Sequence, residues 1–158
     1  MKHTLPYGSL DLPEDWEDRS TYQFVSPAKG PHIPLAVGTG AQVARPRMSV
    51  LLSRISIPNG MKMEEFLIRQ MDELRKALPS LHVLSRHPWQ HPRQGTVPTL
   101  EVVFEVGPGQ QVRQLQFFIP TLESRACVGL TISCSASQYQ SEREEIARIF
   151  ASFEPATG

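Results

Sequence analysis

From residue 97 to residue 135 apolar side chains return at every second position in three successive runs, and a period of two belongs to a strand. Leu100, Val102, Phe104 and Val106 fall on one face of the first run; Leu115, Phe117 and Ile119 do so in the second, and Ala126, Val128, Leu130, Ile132 and Cys134 in the third. Gly107-Pro108-Gly109-Gln110, between the first two runs, reads as a hairpin. Fourteen prolines and ten glycines in 158 residues exclude an all-helical chain and point to strands joined by many turns. That length suits one domain over 1–158, and 40% apolar residues suffice for its core.

Further strands are expected over residues 2–5, 9–12, 20–25, 47–57 and 81–89. A loop rich in Pro and Gly, 26–46, interrupts them; a loop that long is usually functional or disordered. Residues 63–78 read as a helix, because Met63, Phe66, Leu67, Met71, Leu74 and Leu78 recur at three- and four-residue steps before Pro79. Gln70 falls within or beside that apolar stripe. A second helix is expected over 141–153, with Ser141 and Glu144 as a capping box and Ile146, Ile149, Phe150 and Phe153 facing inward. Because strands and helices do not alternate, the fold class is α+β: an antiparallel sheet with two main helices packed on it. The three apolar faces of 97–135 should take the helices.

Sixteen basic residues balance sixteen acidic ones. A net charge of zero argues against nucleic acid as a partner and against electrostatic docking on anionic lipid. No stretch resembles the ~20 apolar residues of a membrane span, and no signal-peptide run opens the chain, so it is expected to be cytoplasmic and not membrane-inserted. Cys127 and Cys134, an odd number of steps apart in one strand, belong on opposite faces roughly 23 Å apart and read as two buried thiols. His87 and His91 have metal-ligand spacing for a helix, but Pro88 and Pro92 argue against that helix, so both imidazoles are expected in solvent at a strand end. Glu14, Asp15, Glu17 and Asp18 crowd one turn without a cleft to pair them. No nucleophile elbow or phosphate-binding loop is present. The expectation is a protein without catalysis, cofactor or metal.

The faces opposite the apolar ones are neither polar nor apolar. They carry Leu51, Ser53 and Ile55; Val103 between Glu101 and Glu105; Val112, Gln114, Gln116 and Phe118; and Cys127, Gly129, Thr131 and Ser133. Apolar residues interleaved with Gln, Ser and Thr suit a surface that another body covers. That body is the chain's own loop, a second subunit, or a bound partner.

Five segments in order resemble the DcrB-related proteins: the turn Leu12-Pro13-Glu14-Asp15-Trp16-Glu17-Asp18 with its flanking strands, SVLLSR at 49–54, the helix FLIRQMDELRKALPS at 66–80, RQLQFFI at 113–119 and IARIFASF at 146–153. Within that group the chain is similar to the Eag chaperones of type VI secretion systems. The resemblance implies a PsbP-like fold and a homodimer whose curved sheets form a claw. It also implies binding of the amino-terminal transmembrane segments of a PAAR-containing effector before loading on the secretion spike. By position, Gln70 and Gln116 would be the hydrogen-bonding groups and Leu51 an apolar contact. Ser53, Val103, Gln114, Phe118 and Thr131 complete the expected groove, with Thr21 and Gln23 at an edge where relatives tend to carry aliphatic residues. The competing reading is a DcrB-like or PsbP-like accessory protein of a membrane-associated assembly.

Overall fold

A computed structural model describes residues 2–5, 8–12, 17–20, 23–25, 48–121 and 126–155. The expected loop 26–46, Trp16 and Thr21 lie outside the described residues. In chain order the described elements are β1 (Lys2–Leu5), β2 (Gly8–Asp11), β3 (Glu17–Ser20), β4 (Gln23–Val25), β5 (Met48–Ser56), α1 (Met63–Ala77), β6 (His82–Ser85), β7 (Trp89–His91), β8 (Gly95–Val97), β9 (Thr99–Gly107), β10 (Gln110–Pro120), β11 (Ala126–Ser135), α2 (Tyr139–Ser152) and β12 (Glu154–Pro155). Seven strands make one antiparallel sheet in the order β3-β4-β5-β11-β10-β9-β6. β1, β2 and β12 form a small second sheet, and β7 pairs with β8. The class is α+β, as the sequence pattern implies.

Helix α1 follows a turn in which Gly60 has φ +75°, a conformation that favours glycine. Glu64 and Glu65 in its first turn and Arg75 and Lys76 in its last complement the helix dipole, and Pro79 prevents continuation. Helix α2 begins two residues earlier than the capping-box pattern suggests. Its Ser141 hydroxyl donates to the Gln138 carbonyl at 2.8 Å, and no side chain caps its N-terminus.

The helices occupy opposite faces of the large sheet, a correction to the expectation that one face takes both. On the first face Ile146, Ile149, Phe150 and Phe153 meet Met48, Val50, Leu52, Leu115, Phe117, Ile119, Val128, Leu130, Ile132 and Cys134. On the second, Phe66 and Met71 of α1 meet Leu100, Val102, Phe118 and Cys127. Cys127 and Cys134 are thus free, buried and on opposite faces. Burial pushes their thiols up to about 11 and about 12, with the Glu142 carboxylate adding to the effect at Cys134.

A β-bulge explains the error in strand β9. The hairpin begins with Gln110 opposite Gly107, and that register would set Val102 opposite Leu115. The bulge between Gln110 and Gln111 advances it by one, so Glu101 faces Leu115 and Val103 faces Arg113. A one-residue slip exchanges every side chain between faces. Leu100, Val102 and Phe104 therefore join the mixed face, and Val103 leaves it for the α2 side. Glu101 turns inward too and is nearly buried. Its carboxylate accepts from Arg113 Nε at 2.8 Å and Nη2 at 2.6 Å, and the guanidinium lies 3.6 Å from the centre of the Tyr139 ring. Burial, then the Glu101 carboxylate, holds the Tyr139 phenol above its ordinary range.

Two further expectations are corrected. Residues 81–89 do not make one strand, since β6 ends at Ser85 and β7 starts a separate hairpin with β8. His91 is not in solvent but 4% exposed, against the end of α2.

Gly129 sits on the mixed face of β11, where a Cβ would lie 2.6 Å from Ile55 Cδ1 and 2.9 Å from Ser53 Oγ. Gly129→Val is expected to destabilise the fold by about 1–3 kcal/mol, because Ile55, half-buried in the α1 cluster, must leave its place. Urea unfolding measures this, and an unchanged midpoint would show that the space over Gly129 is open.

Candidate binding face

The second face of the large sheet divides into a covered part and an open one. Helix α1 covers the part near β9 and β10. Phe118, expected in the groove, is 2% exposed and meets Phe66 edge-on with ring centroids 5.9 Å apart. It is a core residue, and its place in a partner site is corrected. Ile55 and Cys127 belong to the same cluster.

Farther toward β4 the face is open. The register sets Gln23 of β4 opposite Leu51 of β5, Leu51 opposite Thr131 of β11, and Thr131 opposite Gln116 of β10. Four residues singled out from sequence therefore form one row across four neighbouring strands. Three inter-strand steps of ~4.8 Å make that row roughly 14 Å wide, slightly more than the ~10–12 Å diameter of a helix with side chains. Leu51 is 41% exposed, although it lies in the middle of a strand whose neighbours Val50 and Leu52 are core. Thr131 and Gln116 are half-buried beside it, as are Ser53 and Gln114 in the adjoining rows.

The amides of Gln114 and Gln116 are ordered. Gln116 Nε2 donates to Gln114 Oε1 at 2.8 Å, and Gln114 Nε2 donates to the Ser133 hydroxyl at 3.1 Å. Such a chain fixes the side chains before any partner arrives, so less ordering entropy is lost on binding. Gln70 is half-buried on α1, the helix that bounds the covered part of this face. Of the ten residues expected to bind, the register gathers Gln23, Leu51, Ser53, Gln114, Gln116 and Thr131 on one strip. Val103 lies on the other face, Phe118 lies under α1, and Thr21 lies outside the described residues.

Sequence reasoning did not find a second opening. A groove of about 680 Å³ runs between α1 and the edge strand β6, with Leu67, Ile68, Val83 and Leu84 along it and Glu64, Arg86 and His87 at its rim. Ile68 and Leu84 are each 47% exposed. The signal was available: Ile68 breaks the polar side of α1, and Leu84 is the residue bulged out of the β6–β9 pairing. Among the described residues no three His, Cys, Asp or Glu side chains converge as a metal site, and no helix is long and apolar enough to cross a membrane.

The family model described as DcrB matches residues 8–152. A search of curated proteins returns no match. Among solved structures the chain is similar to PA94 of Pseudomonas aeruginosa, a protein of unknown function, at 18% identity and a TM-score of 0.66, covering 100% of this chain and 98% of that one. It is similar to the cyanobacterial PsbP of Synechocystis at 11% identity and a TM-score of 0.61, over 99% and 92% of the two chains. LpqN of Mycobacterium tuberculosis, involved in cell envelope biogenesis, aligns at 16% identity and a TM-score of 0.57, over 94% and 82%. At such identities the likeness establishes a shared PsbP-like fold, and function has to be argued from the site.

Proposed function

The chain belongs to the DcrB family, and from that premise we propose that it is a non-catalytic chaperone that shields an apolar transmembrane segment on the open strip of its large sheet. The partner is the amino-terminal membrane region of a PAAR-containing type VI secretion effector, held in the cytoplasm before loading on the secretion spike. Two copies of the chain form the claw around it.

The observation that carries this reading is the row Gln23–Leu51–Thr131–Gln116, with Leu51 exposed in it and the Gln116 amide held by Gln114. A transmembrane helix in water exposes ~20 apolar residues, each worth roughly 1.5–3 kcal/mol when buried, so its host must offer apolar surface. Gln and Thr in that host meet the small polar residues that membrane helices use for packing. The strip supplies both kinds of contact at about the width of one helix.

The competing reading, an accessory protein of a membrane-associated assembly, draws on the groove between α1 and β6, whose exposed Ile68 and Leu84 suit a protein contact elsewhere on the molecule. Co-expression with the amino-terminal membrane region of a PAAR-containing type VI secretion effector, followed by size-exclusion chromatography with light scattering, separates the two. A soluble complex with two copies of this chain is the expected result. An effector fragment left in the pellet would overturn the chaperone reading and favour the other.

A further inference from the structure

We propose that His91 is an acid-sensitive latch that holds the β7–β8 hairpin against the C-terminal end of α2. The ring is 4% exposed and stands edge-on to Phe150, centroids 5.1 Å apart. Its Nδ1 accepts two backbone N–H groups of its own hairpin turn, from Arg93 and from Gln94, each at 3.1 Å. A nitrogen that accepts two N–H donors is the unprotonated one, so the neutral ring carries its proton on Nε2. The next proton has to enter at Nδ1. There it would meet two N–H groups pointing at it, and both hydrogen bonds would be lost.

The surroundings of the ring oppose that proton on balance. Burial lowers the pKa of His91 below its usual 6.5 and is the largest effect. The carbonyls of Phe150 and Phe153, at the end of α2, act the other way without closing a hydrogen bond of good geometry to Nε2. The Arg93 guanidinium adds a smaller repulsion. Arg93 is paired to Glu154 of β12 at 2.8 Å, and Glu154 to Lys2 of β1 at 2.8 Å. The Glu154 carboxylate is held below its usual range, first by its hydrogen bond to Lys2 and then by Arg93, so it keeps its charge as the pH falls from 7.5 to 5.

An undocked hairpin takes up the proton at the ordinary histidine pKa, whereas the docked one resists it. Docking is therefore fully favoured above about pH 6.5 and weakens as the pH falls through the window beneath it. Undocking also removes Trp89, which stands edge-on to Phe117 at 5.1 Å and to Phe150 at 5.6 Å, from the stacked Phe117–Phe150 pair. Acid thus loosens one corner of the core beneath α2 without touching the open strip on the other face.

Hydrogen exchange of the Arg93 and Gln94 amides in the full chain, from pH 7.5 to 5 and corrected for intrinsic rates, reads the opening constant. It is expected to rise by up to tenfold per pH unit below about 6.5 and then level off where the docked ring itself titrates. His91→Asn keeps a side-chain acceptor but cannot titrate, and its opening constant should be flat. A flat profile in the unaltered chain, or the same slope in His91→Asn, would overturn the latch. Should the variant not fold, the imidazole resonances of His91 in the unaltered chain decide instead: titration below 6.5 with Nδ1 unprotonated supports it, and titration at 6.5 or above refutes it.

Discussion

Phe118→Ala should destabilise the fold by about 3–5 kcal/mol, enough to lower its melting temperature by roughly 6–20 °C. Strand alternation puts Phe118 on the same face as the open strip, but burial and its edge-on contact with Phe66 make it a point where α1 is fastened to the sheet. Truncation removes a ring that is 2% exposed and leaves a cavity between Phe66, Leu100 and Cys127 that the long side chains of α1 fill only partly. Total stability of a domain this size is about 5–15 kcal/mol, so the loss is a large share of it. Urea unfolding gives the value. A change under 1 kcal/mol would mean that α1 does not cover this part of the sheet, and Phe118 would return to the binding surface.

Leu51→Asp should behave in the opposite way. Leu51 is 41% exposed, so the fold is expected to lose no more than about 1 kcal/mol, the range of strand preference for Asp. Partner capture should weaken by roughly ten- to a hundredfold. Burying one leucine is worth about 1.5–3 kcal/mol, and each 1.4 kcal/mol is a factor of ten. A carboxylate facing an apolar helix adds a desolvation cost in the same direction. Both quantities are measured on one purified variant: its unfolding midpoint, and its dissociation constant for the effector's membrane region in detergent-free buffer. Unchanged affinity with a native midpoint would move the partner away from this strip.

The two variants differ because alternation in sequence gives the face of a residue, not what lies over it. The bounds and apolar stripe of α1, the last three long strands and the opposed cysteines were all legible, since each rests on a local period or on proline. The bulge opposite Gln110 and Gln111 was not: its extra residue is Val106, which continues the apolar alternation of the strand, yet it moves Val103 off the mixed face and buries Glu101 against Arg113. The β7–β8 hairpin was hidden for a similar reason. His-Pro-Arg-Gln-Gly supplies one turn glycine, Gly95 at φ +73°, and the buried state of His91 depends on α2, some sixty residues away in sequence. That Leu51, Thr131 and Gln116 share one row, by contrast, was legible, because β5, β11 and β10 pair with no bulge in their mutual register.

Site-specific photocrosslinking tests the central claim most directly. A photoreactive residue is placed at Leu51 or, as a control, at Leu84 in the groove between α1 and β6, and each variant is co-expressed with the effector's membrane region. The two positions are similarly exposed, at 41% and 47%, and lie on different surfaces. The account predicts an adduct to the transmembrane segment from position 51 and none from position 84. An adduct from 84 alone, or no adduct and no soluble effector with either, would contradict it.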